Sequence, residues 1–226
     1  MEHPLLYLNY IVNWLAPGFL DKEHVTYTWF LILLFLAAGL LVRRRLERVP
    51  RGAQNVFEAV VEGITSFMDT TMGHGGSRYF PLIGALAFFI LLSNLMGIIP
   101  GGMSPTSNIN TNAACALTVF LATHYVGFKT HGIKYVRHFT GPIIWLAPLM
   151  MPIEIIGHLA RPLSLSVRLF GNIRGEDLVI IILVSLVPLI VPLPMFFLAI
   201  FTSIIQTFVF CLLSMIYIAG AMEHAH

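Results

Sequence analysis

Six side chains able to carry, hold or repel a proton recur along one apolar stretch. They are Glu154, His158, Arg161, Ser164, Arg168 and Asn172, spaced 4, 3, 3, 4 and 4 residues apart. At 100° per residue all six fall within an arc of about 120°, so one helical face would stay polar for five turns, about 27 Å. Arg168 sits well inside the oily run. Placing an arginine at such a depth costs about 2.5–3.5 kcal/mol on insertion scales. Glu154 is four turns away and cannot neutralise it along the same helix. The missing counter-charge must therefore come from another subunit or a ligand. Arg161 reads either as an end anchor or as an ion-pair partner, and for His158 packing and function are equally open. A second uncharged stretch repeats the pattern more weakly with Ser203, Gln206, Thr207, Ser214 and Tyr217. For Ser203, Thr207 and Ser214 the expected role is interhelical hydrogen bonding.

The elements that must position these groups are membrane helices. The chain has 226 residues, of which 57% are hydrophobic and only 11% charged, against about a quarter charged in a soluble domain. Apolar runs long enough to cross a bilayer recur, so the fold class is an all-α polytopic membrane protein. It reads as one transmembrane domain, 1–226. A net charge of +2 gives no case for nucleic acid. Cys115 and Cys211 both lie in apolar runs and read as free thiols without metal spacing. No cofactor or metal site is expected.

Segment 1–25 reads as an outer interfacial stretch with Tyr and Trp anchors, lacking the basic region and cleavage site of a signal peptide. The first span is 26–42. Five arginines in 43–51 should stay inside, which puts the N-terminus outside. Segment 52–73 forms an amphipathic helix on the inner surface, with Phe57, Val60, Val61, Ile64, Phe67 and Met68 on one face. A two-span hairpin covers 79–128. Its loop at 100–112 carries no Lys or Arg and should face outside, while the basic loop at 129–137 returns inside. Two long segments follow within 142–220, joined at the charged link 174–177. Leu178–Gly220 is 43 residues without a charge, about 65 Å as one straight helix, twice the hydrocarbon thickness. It must bend, for which Pro188, Pro192 and Pro194 give the means, or cross strongly tilted. The two segments should form an antiparallel hairpin.

At "RPLSLSVRLFGN", with "SNLMGIIPG" and "SPTSNINTN" before it and "QTFVFCLLSMIYIAGAMEH" after it, the chain resembles the a subunits of rotary F-type ATP synthases. The likeness covers most of the chain from about Tyr79 onward. It implies about five transmembrane helices plus the inner-surface helix, with the last two long helices as a strongly tilted hairpin against a rotating ring of c subunits. It implies peripheral-stalk b subunits as further partners, and a bacterial inner membrane or an organelle's energy-transducing membrane as the site. The family's essential arginine falls on Arg168 and its inner-side acid on Glu154. Asn172, Gln206 and Asn94 match family amides of the proton pathway, to which Ser164 and His158 of the stripe are added. The family's outer acid falls on Asp177, with Glu176 beside it, so either acid can lead the outer path.

The chemistry this implies is not enzymatic. The stator subunit supplies two proton half-channels and the arginine that deprotonates the ring carboxylate. The alternative is an ion-coupled secondary transporter with an intramembrane Arg/Glu site, but no internal repeat of spans is visible. The chain contains no H-E-x-x-H, no G-x-S-x-G and no P-loop, which excludes the corresponding hydrolase and ATP-binding readings.

Overall fold

The computed structural model describes residues 23–44, 52–73, 75–99, 102–132, 135, 147–186 and 191–222. These residues form six long helices and two short 3-10 turns, with no strand among them. The outer segment before 23, most of the arginine cluster, much of the inner loop 129–137 and Pro188 lie outside the described residues.

Helix α1 spans Glu23–Arg44, α2 Ala53–Met72, α3 Phe80–Ile98, α4 Ile109–His131, α5 Ala147–Leu186 and α6 Pro192–Met222. The segment Gly76–Ile98 and helix α6 are long and apolar enough to cross a membrane, and His24–Leu40 is a shorter apolar helix. Helix ends follow local chemistry. The Asn108 side chain caps α4, its Oδ1 accepting from the Asn110 N–H at 2.9 Å, which satisfies one of the orphan donors of a helix start. Gly132 ends α4 at φ 56°, a backbone conformation open to glycine. Pro81 sits in the first turn of α3, where no helical N–H is lost.

The break between the two long helices differs from the sequence expectation. Residues Arg174–Asp177 are not a link; they lie inside α5, which runs on to Leu186, and α6 begins at Pro192. Charge does not end a helix, and Arg and Glu are good helix formers. Proline is the residue that opposes helix continuation, because it lacks the N–H and clashes with the preceding turn. Pro152 and Pro162 nonetheless sit within α5. Each removes one backbone donor, so the carbonyls of Pro148 and His158 lose their helical partner. At 1.5 Å per residue α5 is about 60 Å long and α6 about 46 Å.

Two clusters hold the bundle. One joins Leu86 and Ile90 of α3, Cys115, Ala116 and Val119 of α4, Leu165, Leu169 and Ile173 of α5, and Phe210 of α6. The other joins Met68 of α2, Ile83 of α3, Val126 of α4, and Cys211, Met215 and Ile218 of α6. The expected apolar face of α2 is thus split: Met68 is buried against α6, while Phe57 and Val60 remain exposed.

The segment between α3 and α4 is buried and polar. Thr106 Oγ1 donates to Asn94 Oδ1 at 2.6 Å and lies 2.6 Å from Ser104 Oγ, while Asn112 Nδ2 donates to the Thr106 carbonyl at 2.8 Å. Gly102 makes this wrap possible, since a Cβ there would run into the Met96 carbonyl oxygen. Gly102→Ala is therefore expected to destabilise the protein by about 1–3 kcal/mol, read as a lower unfolding temperature of the detergent-solubilised complex; an unchanged temperature would show that the wrap tolerates the methyl group.

Candidate functional site

The polar stripe of α5 straddles the edge between the packed and open faces of the helix. Leu165, Leu169 and Ile173 are buried on one side, and Leu159, Leu163 and Val167 are exposed on the other. His158 lies on the packed side and is buried, Glu154 and Arg161 are half-buried, and Ser164, Arg168 and Asn172 are exposed. The guanidinium of Arg168 therefore faces out of the chain beside exposed aliphatic groups. Among the described residues no carboxylate lies within ion-pair distance of it. Arginine stays protonated at any working pH, so this charge requires a partner from outside the chain.

One turn further on, α5 is tied to α6. Asn172 Nδ2 donates to Gln206 Oε1 at 2.6 Å, and Gln206 is buried. The structure thus brings Asn172 and Gln206 into direct contact. Gln206 Nε2, Ser203 Oγ, Ser93 Oγ and Asn94 Nδ2 are buried without a partner among the described residues. Such polar atoms suit ordered water. Asn94 itself is engaged by Thr106, toward the α3–α4 segment. Glu176 and Asp177 are half-buried on α5.

The interhelical bonding expected of Thr207 and Ser214 is not what they do. Thr207 Oγ1 donates to the Ser203 carbonyl at 2.8 Å, and Ser214 Oγ to the Phe210 carbonyl at 2.7 Å. Both hydroxyls are spent on their own helix, the usual recourse of such a side chain in an apolar interior.

At the other end of the stripe, Glu154 and His158 form a close pair, His158 Nε2 lying 3.3 Å from Glu154 Oε1. The guanidinium of Arg161 lies over the Tyr217 ring of α6, 5.2 Å from the centroid, a cation–π contact of about 0.5–2 kcal/mol. His124 of α4 brings its ring to 5.3 Å from that of His158 and packs on Phe120 at 4.2 Å. Tyr135 places its hydroxyl 3.4 Å from His124 Nδ1. Burial raises the Tyr135 phenol above its ordinary value, with Arg161 opposing and Glu154 adding to the shift, so the phenol keeps its proton. A histidine in the middle of α4 was a visible signal, but its partner is on a different helix. Among the described residues no group of three or more His, Cys, Asp or Glu could hold a metal ion.

A family described as ATP synthase A chain matches residues 25–219. The chain belongs to that family. Relatives matched over the full length of both chains carry the corresponding name: "ATP synthase subunit a" of Syntrophobacter fumaroxidans at 54% identity, "ATP synthase subunit a 1" of Syntrophotalea carbinolica at 53%, and "ATP synthase subunit a" of Geobacter sulfurreducens at 52%. Family membership thus extends over the N-terminal third, where the sequence resembled the family mainly in its order of spans. The exposed guanidinium and the amide bridge beside it are accordingly features of an ATP synthase a-type chain.

The amide bridge has a measurable consequence. Gln206→Ala should leave the Asn172 amide without its acceptor and cost about 1–3 kcal/mol. Thermal unfolding of the purified complex reads this as a lowered midpoint, and Asn172→Ala on top of it should add little, since both remove one interaction.

Proposed function

We propose that this chain is the stator subunit of the membrane sector of a rotary ATP synthase, a non-catalytic part that couples proton flow to rotation of a ring of c subunits. The observation that carries the proposal is Arg168: a permanent cation exposed on the apolar face of a 40-residue helix, without a counter-charge from the described residues. Membership of the ATP synthase A chain family supports it. The secondary-transporter reading of the same charges loses its ground, since the full-length relatives are named as ATP synthase subunits. Peripheral-stalk b subunits complete the surroundings, in a bacterial inner membrane or an equivalent energy-transducing one. Helices α1, α3, α4, α5 and α6 make the five spans, with α2 at the inner surface. At about 60 and 46 Å, α5 and α6 must lie strongly tilted in a hydrocarbon layer of about 30 Å.

A carboxylate carried by the ring through lipid must be protonated, because a bare charge there is too costly. Beside Arg168 it ionises. At 4 Å and an effective dielectric of about 20 the attraction is about 4 kcal/mol, or roughly three pKa units. The proton leaves by the inner path past Ser164 and His158 to Glu154. Another enters from outside, led by Glu176 or Asp177 past Asn94, Asn172 and Gln206, and neutralises the next site, which then moves into lipid. Arg168 divides the two paths and blocks direct leakage between them. Each charge crossing the full potential contributes about 2.3 kcal/mol per 100 mV, comparable with the attraction, so the ring is held without being trapped.

Arg168→Ala should abolish proton-driven ATP synthesis in membranes while the complex still assembles, and Arg168→Lys should fail nearly as badly, lacking the planar fork and able to lose its proton. Synthesis near the normal rate in either variant would overturn the assignment. The two paths are tested separately by thiol accessibility. Cysteine at Glu154 should react with silver ions supplied from inside, and cysteine at Asn172 with those from outside. Reaction of both from one side would mean a single vestibule, and reaction of neither would mean dry packing.

A further inference from the structure

A cavity on the far side of the bundle from the amide bridge plays no part in the proton path. It has a volume of about 180 Å³ and lies between α2, α3 and α6. Its walls run from Val60 to Phe67 on α2, from Ile83 to Leu91 on α3 and from Ile204 to Met215 on α6. At 1.5 Å per residue these walls are about 10, 12 and 16 Å long. A volume of that size spread over that length is a narrow slot. Its lining carries no charged side chain. The single hydroxyl in it, on Thr207, donates to the Ser203 carbonyl at 2.8 Å. Water finds nothing to bond there, and an empty slot would forfeit the dispersion contacts of every side chain around it. An apolar cavity of about 150 Å³ already binds a molecule of the size of benzene.

The opening of the slot is apolar as well. Ile204 and Phe208 of α6 and Val60 of α2 line it and are exposed. On α6 they continue the exposed row of Phe197 and Phe201. At 100° per residue Ile204 and Phe208 both stand about 160° around the helix from Gln206, which is bonded to α5. The opening therefore points away from α5 and toward the hydrocarbon. Phe208 also packs on Phe67 of α2, with ring centroids 5.0 Å apart, so α2 and α6 meet across the slot.

Resting on the five-span reading above, we propose that this slot binds one acyl chain of a membrane phospholipid, which fills the seam between the surface helix α2 and the spans α3 and α6. Recognition is by shape and apolarity. An alkyl chain is narrow and flexible, enters past Ile204 and Phe208, makes the missing dispersion contacts along the walls and asks no hydrogen bond of them. The surrounding bilayer supplies such chains without limit.

The test uses the whole ATP synthase complex in phosphatidylcholine vesicles that carry a small share of phosphatidylcholine with a diazirine on one acyl chain. After illumination, adducts are mapped by peptide mass spectrometry. Ile83 and Cys211 line the slot and are buried, so adducts on them report a chain inside it. Leu117 and Leu121 of α4 are exposed and serve as the membrane-facing reference. Both sets should be labelled. Ala87 also lines the slot, and Ala87→Phe, which puts a ring into it, should lose the Ile83 and Cys211 adducts while keeping those on α4. Labelled α4 with unlabelled Ile83 and Cys211 would overturn the proposal, leaving the slot empty or filled by a neighbouring protein helix. Slot labelling unchanged by Ala87→Phe would overturn it equally. If Ala87→Phe does not assemble, the smaller Ala87→Leu should show a partial loss of the same adducts, and no loss would count against the slot. Failure to label α4 as well would sink the five-span reading itself, whereas loss confined to the slot would leave that reading standing.

Discussion

The fold is organised around a charge that cannot be discarded. A buried lysine or carboxylate in apolar surroundings can neutralise itself by shifting its pKa, but a guanidinium cannot. Arg168 must therefore be left facing outward and given a partner, and the rest of the chain holds it there. The amide bridge from Asn172 to Gln206 fixes α5 against α6 one turn away. The buried row of Leu165, Leu169 and Ile173 fixes the rotation of α5 about its own axis against α3, α4 and α6. Rotating α5 by even a third of a turn would bury the cation or expose that row, so rotational setting and function are the same constraint.

Hydrogen bonding reinforces this division between inward and outward faces. Polar groups inside the bundle are either consumed locally, as with Thr207 and Ser214 on their own helix carbonyls, or collected into connected groups. The Asn94–Thr106–Ser104–Asn112 group pins the α3–α4 segment. The His124–His158–Glu154 group occupies the Glu154 end of the stripe. In an apolar medium an unmatched polar group is costly, and clustering such groups confines water to the few places where it can be bound.

The sequence exposed the site more fully than the fold that carries it. The stripe from Glu154 to Asn172 was legible because residues on one helix obey a fixed angular period, and only that period is needed to put them on one face. The hairpin joint was not: Arg174–Asp177 look like a boundary because charges end an apolar run, yet helix continuity depends on backbone donors, and it is proline that removes them. His124 was missed because its pairing with His158 spans two helices, and angular period says nothing across helices. Arg161 resolved into a contact with Tyr217 for the same reason, its partner lying on α6.

Two cavities in the bundle differ in size and in lining. The small one, at the scale of a single water, is lined by parts of His124, His158 and Arg161. The other, about 180 Å³, lies among Val60, Ile64 and Phe67 of α2, Ile83 and Phe88 of α3, and Phe208 of α6. It is far larger, yet it gives water nothing to bond. Its one hydroxyl, on Thr207, already donates to the Ser203 carbonyl. Apolar cavities of this size stay dry, and a proton needs polar stepping stones. Size therefore does not by itself make a polar route through α2, α3 and α6, while Arg168 stands exposed at the edge of α5.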